Sequence, residues 1–396
     1  MRVDGIRADF EPIGRSGFLY LLRMNDNVQN KGTSVVRRVA FYISGHGLGH
    51  AVRVVEVMNA LKEADPSLKF FIRTTAPGWI FDLNLVGEGA VEEINLDVGA
   101  VQQTSLWIDK EETRRRWQKT EERWEEILVR EMTFIKREKI DLVFGDIPPL
   151  AFRIASMVSL PSVAMGNFGW DWIYEPWIEE IPDFRKLVET IREDYSRASL
   201  LLRLPANEPM ACFRTVEDIP LVARRASKDR TTVRRELGVA EGERVVLLAF
   251  PRSDEKFIPW DFLREMEGMI FLSPFPGSRC ERVYPFPGER ICFPDLVSGS
   301  DVVLSKPGYG IVAECYVNQT PVLYVMRDDF RECDILVQWM RKHMVCEPLP
   351  REDFFSGKWE EPVQLLLSKS DNWSSLPTDG ARVAANRILQ MLGGRG

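Results

Sequence analysis

The run Arg38-Val39-Ala40-Phe41-Tyr42-Ile43 passes through Ser44-Gly45-His46-Gly47-Leu48-Gly49-His50 into Ala51–Leu61, and its reading decides the fold. The first six residues form a short apolar run of the kind that makes a buried strand. The last segment repeats at helical spacing, with Val54, Val55, Met58 and Leu61 on one face. A strand that turns through glycines into a helix is the opening unit of a parallel α/β sheet.

The same alternation continues outward from this unit. Lys69–Arg73, Asp141–Phe144, Ser162–Met165 and Ser199–Leu204 read as further strands, the last closing a first sheet. Lys110–Lys139 reads as one long amphipathic helix, with Trp117, Trp124, Leu128 and Ile135 near helical spacing and its charges on a solvated face. Arg244–Phe250 restarts the pattern, followed by strands at Asp301–Leu304 and Thr320–Val325 and a closing helix at Gly380–Leu392. The expected architecture is two Rossmann-like, doubly wound parallel-sheet domains facing a cleft. The expected boundaries are a poorly ordered extension over 1–37 (or an over-long start, with Met24 as the initiator), an N-terminal domain over 38–205, an interdomain segment over 206–243, a C-terminal domain over 244–376 and a final helix over 377–396.

Composition fits that size. A chain of 396 residues exceeds one ordinary core, and 45% hydrophobic with 28% charged residues is globular. A net charge of -7 argues against a general nucleic-acid partner. All six cysteines lie in the second half without a C-x-x-C pair, which matches neither a zinc site nor a disulfide framework. With no apolar run long enough to cross a bilayer, the expectation is a soluble, cytoplasmic chain.

Four constellations carry chemistry. In Ser44–His50, glycines Gly45, Gly47 and Gly49 let the backbone approach a ligand, and two of the chain's three histidines, His46 and His50, stand in the turn. A histidine there can serve as a general base, or it can merely cap the helix. In Ser305-Lys306-Pro307-Gly308-Tyr309-Gly310, backbone N–H groups and Lys306 face an anion, while Glu314 can accept from a ribose diol. A packing turn with Glu314 on the surface is the alternative. Asp146 stands just past a strand's carboxyl end, placed to hold a histidine or to cap a helix. Asn167-Phe168-Gly169-Trp170-Asp171-Trp172-Ile173-Tyr174 sets aromatic rings beside amide and carboxylate groups, as a sugar requires and as a core also allows. Within it, Asp171 and Trp170 are expected to face a ligand and Trp172 the core.

These motifs resemble the GT-B glycosyltransferase superfamily, including its MurG-like members. The Gly45–His50 turn resembles the glycine-histidine turn after the first strand of those enzymes, and the resemblance assigns His50 the role of catalytic base. Ser300–Glu314 resembles their donor-binding turn and helix, which implies that Glu314 binds ribose and Gly308–Gly310 the diphosphate. A closer resemblance is to the N-terminal, glycosyltransferase-like half of the plant L-arabinokinases. It rests on Gly45–Val57, Leu96–Gln102, Asn167–Tyr174, Glu193–Ser196, Leu202–Pro205 and Lys306–Glu314. The kinase half and its ATP-binding glycine loop have no counterpart here, so arabinose kinase activity is not expected. Pro251-Arg252-Ser253-Asp254 replaces the usual glycine-rich turn, and the Asp-Gln pair that often holds the donor sugar is not intact.

The function so implied is transfer of a sugar from a nucleotide-diphosphate sugar to an unidentified acceptor. His50 and Asp146 would be catalytic. Lys306, Pro307, Gly308, Tyr309, Gly310, Glu314, Arg252, Asp328 and Glu332 would bind the nucleotide sugar. His46, Gly47, Gly49, Asn167, Trp170 and Asp171 would bind the acceptor. No metal and no cofactor beyond the donor substrate is expected, because no Asp-x-Asp motif marks a strand end. A nucleotide-sugar 2-epimerase or hydrolase, and a non-catalytic sugar or nucleotide-sugar binding protein, are the alternatives.

Overall fold

The structure is a computed structural model that describes residues 36–274, 282–286, 291–369 and 373–394. Residues 1–35 of the expected N-terminal extension lie outside the described residues.

Two parallel sheets organise the chain. The first contains β1 (Arg38–Ile43), β2 (Lys69–Thr74) and β3 (Gly89–Glu93). After a small antiparallel hairpin of β4 (Gln102–Thr104) and β5 (Trp107–Ile108), it continues with β6 (Leu142–Asp146), β7 (Ser162–Gly166), β8 (Leu200–Arg203) and β9 (Val216–Asp218). Its order is β3-β2-β1-β6-β7-β8-β9. The second sheet is built from β10 (Arg244–Ala249), β11 (Met269–Ser273), β12 (Val283–Pro285), β13 (Val302–Ser305), β14 (Val322–Tyr324) and β15 (Cys346–Pro348). Its order is β12-β11-β10-β13-β14-β15. In each sheet the order reverses beside the first strand, between β1 and β6 and again between β10 and β13. A doubly wound sheet opens a crevice at such a point, outside the carboxyl ends of its strands.

Strand chemistry explains this topology. The central strands are buried on both faces, so β6, β7 and β13 are buried along their whole length, and such strands read as continuous apolar runs. Register then sets which residues emerge at the crevices. β1 pairs with β6 from Val39 with Leu142 to Ile43 with Asp146. β10 pairs with β13 from Val246 with Val302 to Ala249 with Ser305. The histidine turn and Asp146 therefore leave adjacent strands of one sheet, and Lys306 leaves the corresponding place in the other.

Three local expectations change. The segment Lys110–Lys139 is two helices, Lys110–Glu121 and Trp124–Glu138, with Arg123 at the break. The break lets their apolar faces serve different clusters: Trp117 joins an aromatic cluster with Trp170 and Tyr174, while Ile127, Phe134 and Ile135 pack under β1 and β6 with Tyr42 and Val143. The first sheet does not end at Ser199–Leu204. β9 follows inside the expected interdomain segment, and its Val216 and Asp218 are exposed, so it carries no apolar signal. Third, Glu131 lies in the apolar half of its helix yet is fully buried, where it accepts from Tyr42 and from the Arg73 guanidinium.

The final helix, Gly380–Gly393, packs against the first helix, Leu48–Ala64, through Ala384, Ala385, Ile388 and Leu392. Its position is fixed at its first residue. The Gly380 N–H donates to the Leu221 carbonyl at 3.0 Å, and a Cβ at Gly380 would overlap the Pro220 carbonyl oxygen and lie 2.7 Å from that of Leu221. Both obstacles are backbone, which no rotamer change relieves. Gly380→Ala is therefore expected to destabilise the protein by about 1–3 kcal/mol, the usual cost of overpacking, despite alanine's better helix propensity. Urea unfolding measures this, and equal or greater stability in the variant would show that the helix end is not so confined.

Candidate active site

Gly47 ends the first turn with φ 74°, a conformation that favours glycine, and leads into the helix Leu48–Ala64. That helix brings His50 and, one turn on, Arg53 to the carboxyl end of β6. His50 Nδ1 lies 2.8 Å from Asp146 Oδ1. Arg53 binds the same carboxylate twice, Nε to Oδ2 and Nη2 to Oδ1, both at 2.5 Å. Asp146 is wholly buried. Burial raises its pKa, but the charges of Arg53 and then His50 outweigh that and hold it below the usual carboxylate value.

Arg53 extends the network across the molecule. Its Nη1 donates to Asn167 Oδ1 at 3.0 Å, and Asn167 Nδ2 donates to Glu332 Oε1 at 2.8 Å. The guanidinium also lies over the Tyr309 ring, 5.1 Å from its centroid. Here the expected acceptor-side residue Asn167 and the expected donor-side residue Glu332 hold each other. Sequence reasoning missed Arg53; the available signal was an arginine within a run of apolar residues that the helix buries. It also missed Asp97, a buried carboxyl that accepts from Trp170 Nε1 at 3.0 Å and whose pKa burial raises.

His46 has a different setting. Its Nδ1 accepts from the Ala100 N–H at 3.2 Å, and its ring meets Trp170 edge-on. Burial first, then the charges of Arg327, His50 and Lys306, push its pKa well below the ordinary value, so His46 is neutral at neutral pH. It shapes the turn against Gly99, whose φ of 64° and lack of a Cβ make room for the imidazole.

On the other side, β13 delivers Lys306 and the helix Tyr309–Val317. Burial, then Arg327, lowers the Lys306 pKa to about 8. The Pro307 carbonyl accepts from the Cys333 thiol. Glycines that were expected to admit a ligand instead meet each other: a Cβ on Gly310 would lie 3.3 Å from Gly49 Cα. Glu314 is buried rather than on the surface and accepts from Arg224 Nε at 2.6 Å. Arg224 also donates to Asn84 of the first half at 2.8 Å. Arg252 is exposed, and Asp328 is exposed and paired with Arg351.

The aromatic helix, Trp170–Tyr174, shows its faces the other way round from expectation. Trp170 and Tyr174 are stacked, fully buried and bonded to Asp97 and the Gly99 carbonyl, while Trp172 is half-buried under Arg331. Both rings had partners for their polar atoms inside, which a hydropathy pattern does not reveal. Asp171 and Trp172 line an open cavity of about 610 Å³ with Arg192, Glu208, Cys212 and Arg331. His50 and Lys306 do not line it.

Comparison with known proteins places the fold. No protein-family model matches the chain. It is 31% identical over 383 residues to the L-arabinokinase of Arabidopsis thaliana, an alignment covering 94% of this chain and 36% of that protein, so it spans about a third of its relative's length. The architecture is the GT-B fold. An indoxyl-glucosylating UDP-glucosyltransferase from Polygonum tinctorium superposes with TM-score 0.58 at 10% identity, covering 91% of this chain and 99% of that one. A calicheamicin glycosyltransferase gives 0.56 at 13% identity, with 91% and 95% covered. A structure from Listeria monocytogenes assigned as a UDP-N-acetylglucosamine 2-epimerase gives 0.50 at 13%, with 90% and 95% covered. Among the described residues, no helix is long and apolar enough to cross a membrane.

The two faces of the aromatic helix can be told apart by stability. Trp170→Ala should cost about 3–5 kcal/mol, as removal of a buried tryptophan does. Trp172→Ala should cost well under half as much, because its ring is only partly covered. Chemical denaturation of both variants decides this, and a larger loss for Trp172→Ala would reverse the assignment.

Proposed function

We propose that this chain is a metal-independent glycosyltransferase that moves a sugar from a nucleotide-diphosphate sugar to an acceptor hydroxyl between its two halves. The observation that carries this reading is the His50–Asp146 contact of 2.8 Å at the reversal point of the first sheet, opposite the turn of Lys306 in the second.

In this reading Asp146 accepts from the His50 Nδ1–H and so leaves the Nε2 lone pair to take the acceptor's proton. Arg53 neutralises the carboxylate, keeping Asp146 ionised without a surplus buried charge. The acceptor oxygen attacks the anomeric carbon, and the nucleoside diphosphate departs toward Lys306 and the positive end of the Tyr309–Val317 helix. The sugar-binding names of the structural neighbours support the substrate class. Gly49 touching Gly310, and Arg224 holding Glu314, mean that a donor enters only when the halves part and Arg224 yields the carboxylate. Those same contacts favour a second reading, a non-catalytic nucleotide-sugar binding module. The Listeria neighbour keeps epimerisation or hydrolysis without an acceptor as a third.

Incubation with a panel of nucleotide sugars, with and without candidate acceptors, separates the three. His50→Ala should reduce nucleotide release at least a hundredfold, the scale of general-base catalysis, while nucleotide-sugar binding measured by calorimetry persists. Undiminished turnover in that variant would remove the base assignment. A wild-type protein that binds donors and turns none over is a binding module. Release of nucleotide without acceptor, equally fast with and without it, would indicate the epimerase or hydrolase.

A further inference from the structure

One turn of the second half is seated in the first. Phe330 and Cys333 are buried in the aromatic cluster of Phe168, Trp170 and Tyr174. The His46 ring stacks on Phe330 with centroids 5.9 Å apart, and Phe168 meets the same ring edge-on at 5.8 Å. Arg331 lies over the Trp172 ring, and its Nη1 donates to the Trp172 carbonyl at 2.9 Å. Glu332 opens the helix Glu332–His343 and is buried as well. Leu106, at the tip of the β4–β5 hairpin, also joins the halves, but by apolar burial with Leu248, Leu304 and Val325. The Phe330–Cys333 turn differs in sending a directional bond to the group around His50.

That bond runs through a chain in which every link has a fixed polarity. Glu332 Oε1 accepts from Asn167 Nδ2 at 2.8 Å, and Asn167 Oδ1 accepts from Arg53 Nη1 at 3.0 Å. Arg53 donates to both oxygens of Asp146, which lies against His50 Nδ1. A carboxylate only accepts, a guanidinium only donates, and a primary amide has one end for each. Glu332 therefore decides which way Asn167 faces, its NH2 toward the carboxylate and its oxygen toward Arg53. Turned over, the amide would set N–H against N–H on one side and oxygen against oxygen on the other. All five residues are buried, so water does not compete and each link is stronger than it would be in solvent. Only Glu332 belongs to the second half, so the chain is complete only while its turn is seated.

We infer that Glu332 is a positioning residue that couples seating of this turn to the readiness of His50. With the turn seated, Glu332 orients Asn167, Asn167 steadies the outer end of Arg53, and Arg53 holds the Asp146 carboxylate where it keeps the His50 proton on Nδ1. With the turn withdrawn, Arg53 still meets Asp146 but has lost its outer anchor, and the carboxylate no longer fixes one tautomer. The base is then ready only inside a closed site, and an open, water-filled one is not set to hydrolyse a donor. Glu332 thereby leaves the set of residues expected to bind the nucleotide sugar. The purpose of the coupling rests on the transfer reading above, but the link from Glu332 to His50 does not depend on turnover.

The test uses the full chain with nitrogen-15 in its histidines, His46, His50 and His343, the His50 signal being the one lost in His50→Ala. In the wild type that signal should show the Nδ1–H tautomer. Glu332→Ala and Asn167→Ala should each turn it into a mixture of tautomers, and the double variant should be no worse than either, because one link is cut once. Glu332→Gln, whose oxygen still accepts from Asn167, should restore the wild-type signal. In transfer assays Glu332→Ala should lower kcat by about tenfold, part of what a general base contributes, and leave the affinity for UDP-glucose by calorimetry within about twofold. A His50 signal unchanged in both single variants overturns the inference, as do additive changes in the double variant. Weakened UDP-glucose binding with an unchanged His50 signal would make Glu332 a donor ligand instead. If Glu332→Ala does not fold, Asn167→Asp decides by facing one carboxylate with another: an altered His50 signal supports the link, and a wild-type one refutes it. A wild type that turns over no donor removes the transfer reading, while the spectral link between Glu332 and His50 is still decided by the variants.

Discussion

The arrangement depends on one buried charge. Asp146 emerges from β6 with no exposure to solvent, and Arg53, which donates to both of its oxygens, and His50, 2.8 Å away, hold its pKa below the usual carboxylate value. A carboxylate so placed is tolerable only with a cation bonded to it, and breaking such a pair by removing one partner costs about 3–5 kcal/mol. Arg53 supplies that cation from the first helix. The helix is itself held from two sides, by the final helix and by Tyr309–Val317 of the second half. The charge therefore fixes where the first helix lies on its sheet, and the helix fixes where the two halves meet.

That meeting is close. Glycine against glycine at Gly49 and Gly310, Asn167 bonded to Glu332, Arg224 shared between Glu314 and Asn84, and the hairpin tip in the second core all join residues far apart in sequence. Several of the groups that would bind a donor are thus engaged with protein partners. The engagement is polar and replaceable around Glu314 and Glu332, whereas at Leu106 it is apolar. A ligand can exchange hydrogen bonds with Arg224 at little net cost, because each bond lost is replaced. It cannot replace Leu106 in the same way. Opening at the glycine turns with the hairpin held in place is the less costly motion.

The fold was legible because its central strands are buried on both faces and announce themselves as apolar runs between turns. What was illegible follows from the same logic. β9 has two exposed residues of three and gives no pattern. The break at Arg123 reflects two clusters that pull one amphipathic segment in different directions. Of the site, the sequence showed the histidines, Asp146 and the Lys306 turn, because strand ends and glycine turns mark positions. It did not show partners. Arg53, Asp97 and Arg224 are identified only by the carboxylate, indole or amide each one meets, and those partners lie 73 to 140 residues away in sequence, Asn84 being the farthest from Arg224. Trp170 and Trp172 exchanged expected places because burial of an indole depends on whether its N–H finds an acceptor, here Asp97.

The charge around His50 bears on what the site can do. With Asp146 ionised and Arg53 bonded to it, the pair is neutral, and His50 is joined to a carboxylate that is already compensated. In the proposed transfer, a proton arriving at Nε2 makes the group of three cationic as an anionic diphosphate separates on the other side of the cleft. In that reaction the proton on His50 and the charge on the leaving group are opposite in sign and attract one another. A binding module has no use for that coupling, since it never creates the two charges together. Such a module would use a cation of the second half such as Lys306, but not a histidine set against a compensated carboxylate on the first. The presence of both sets, one on each side of Gly49 and Gly310, is the physical argument for a transfer reaction over storage of an intact ligand.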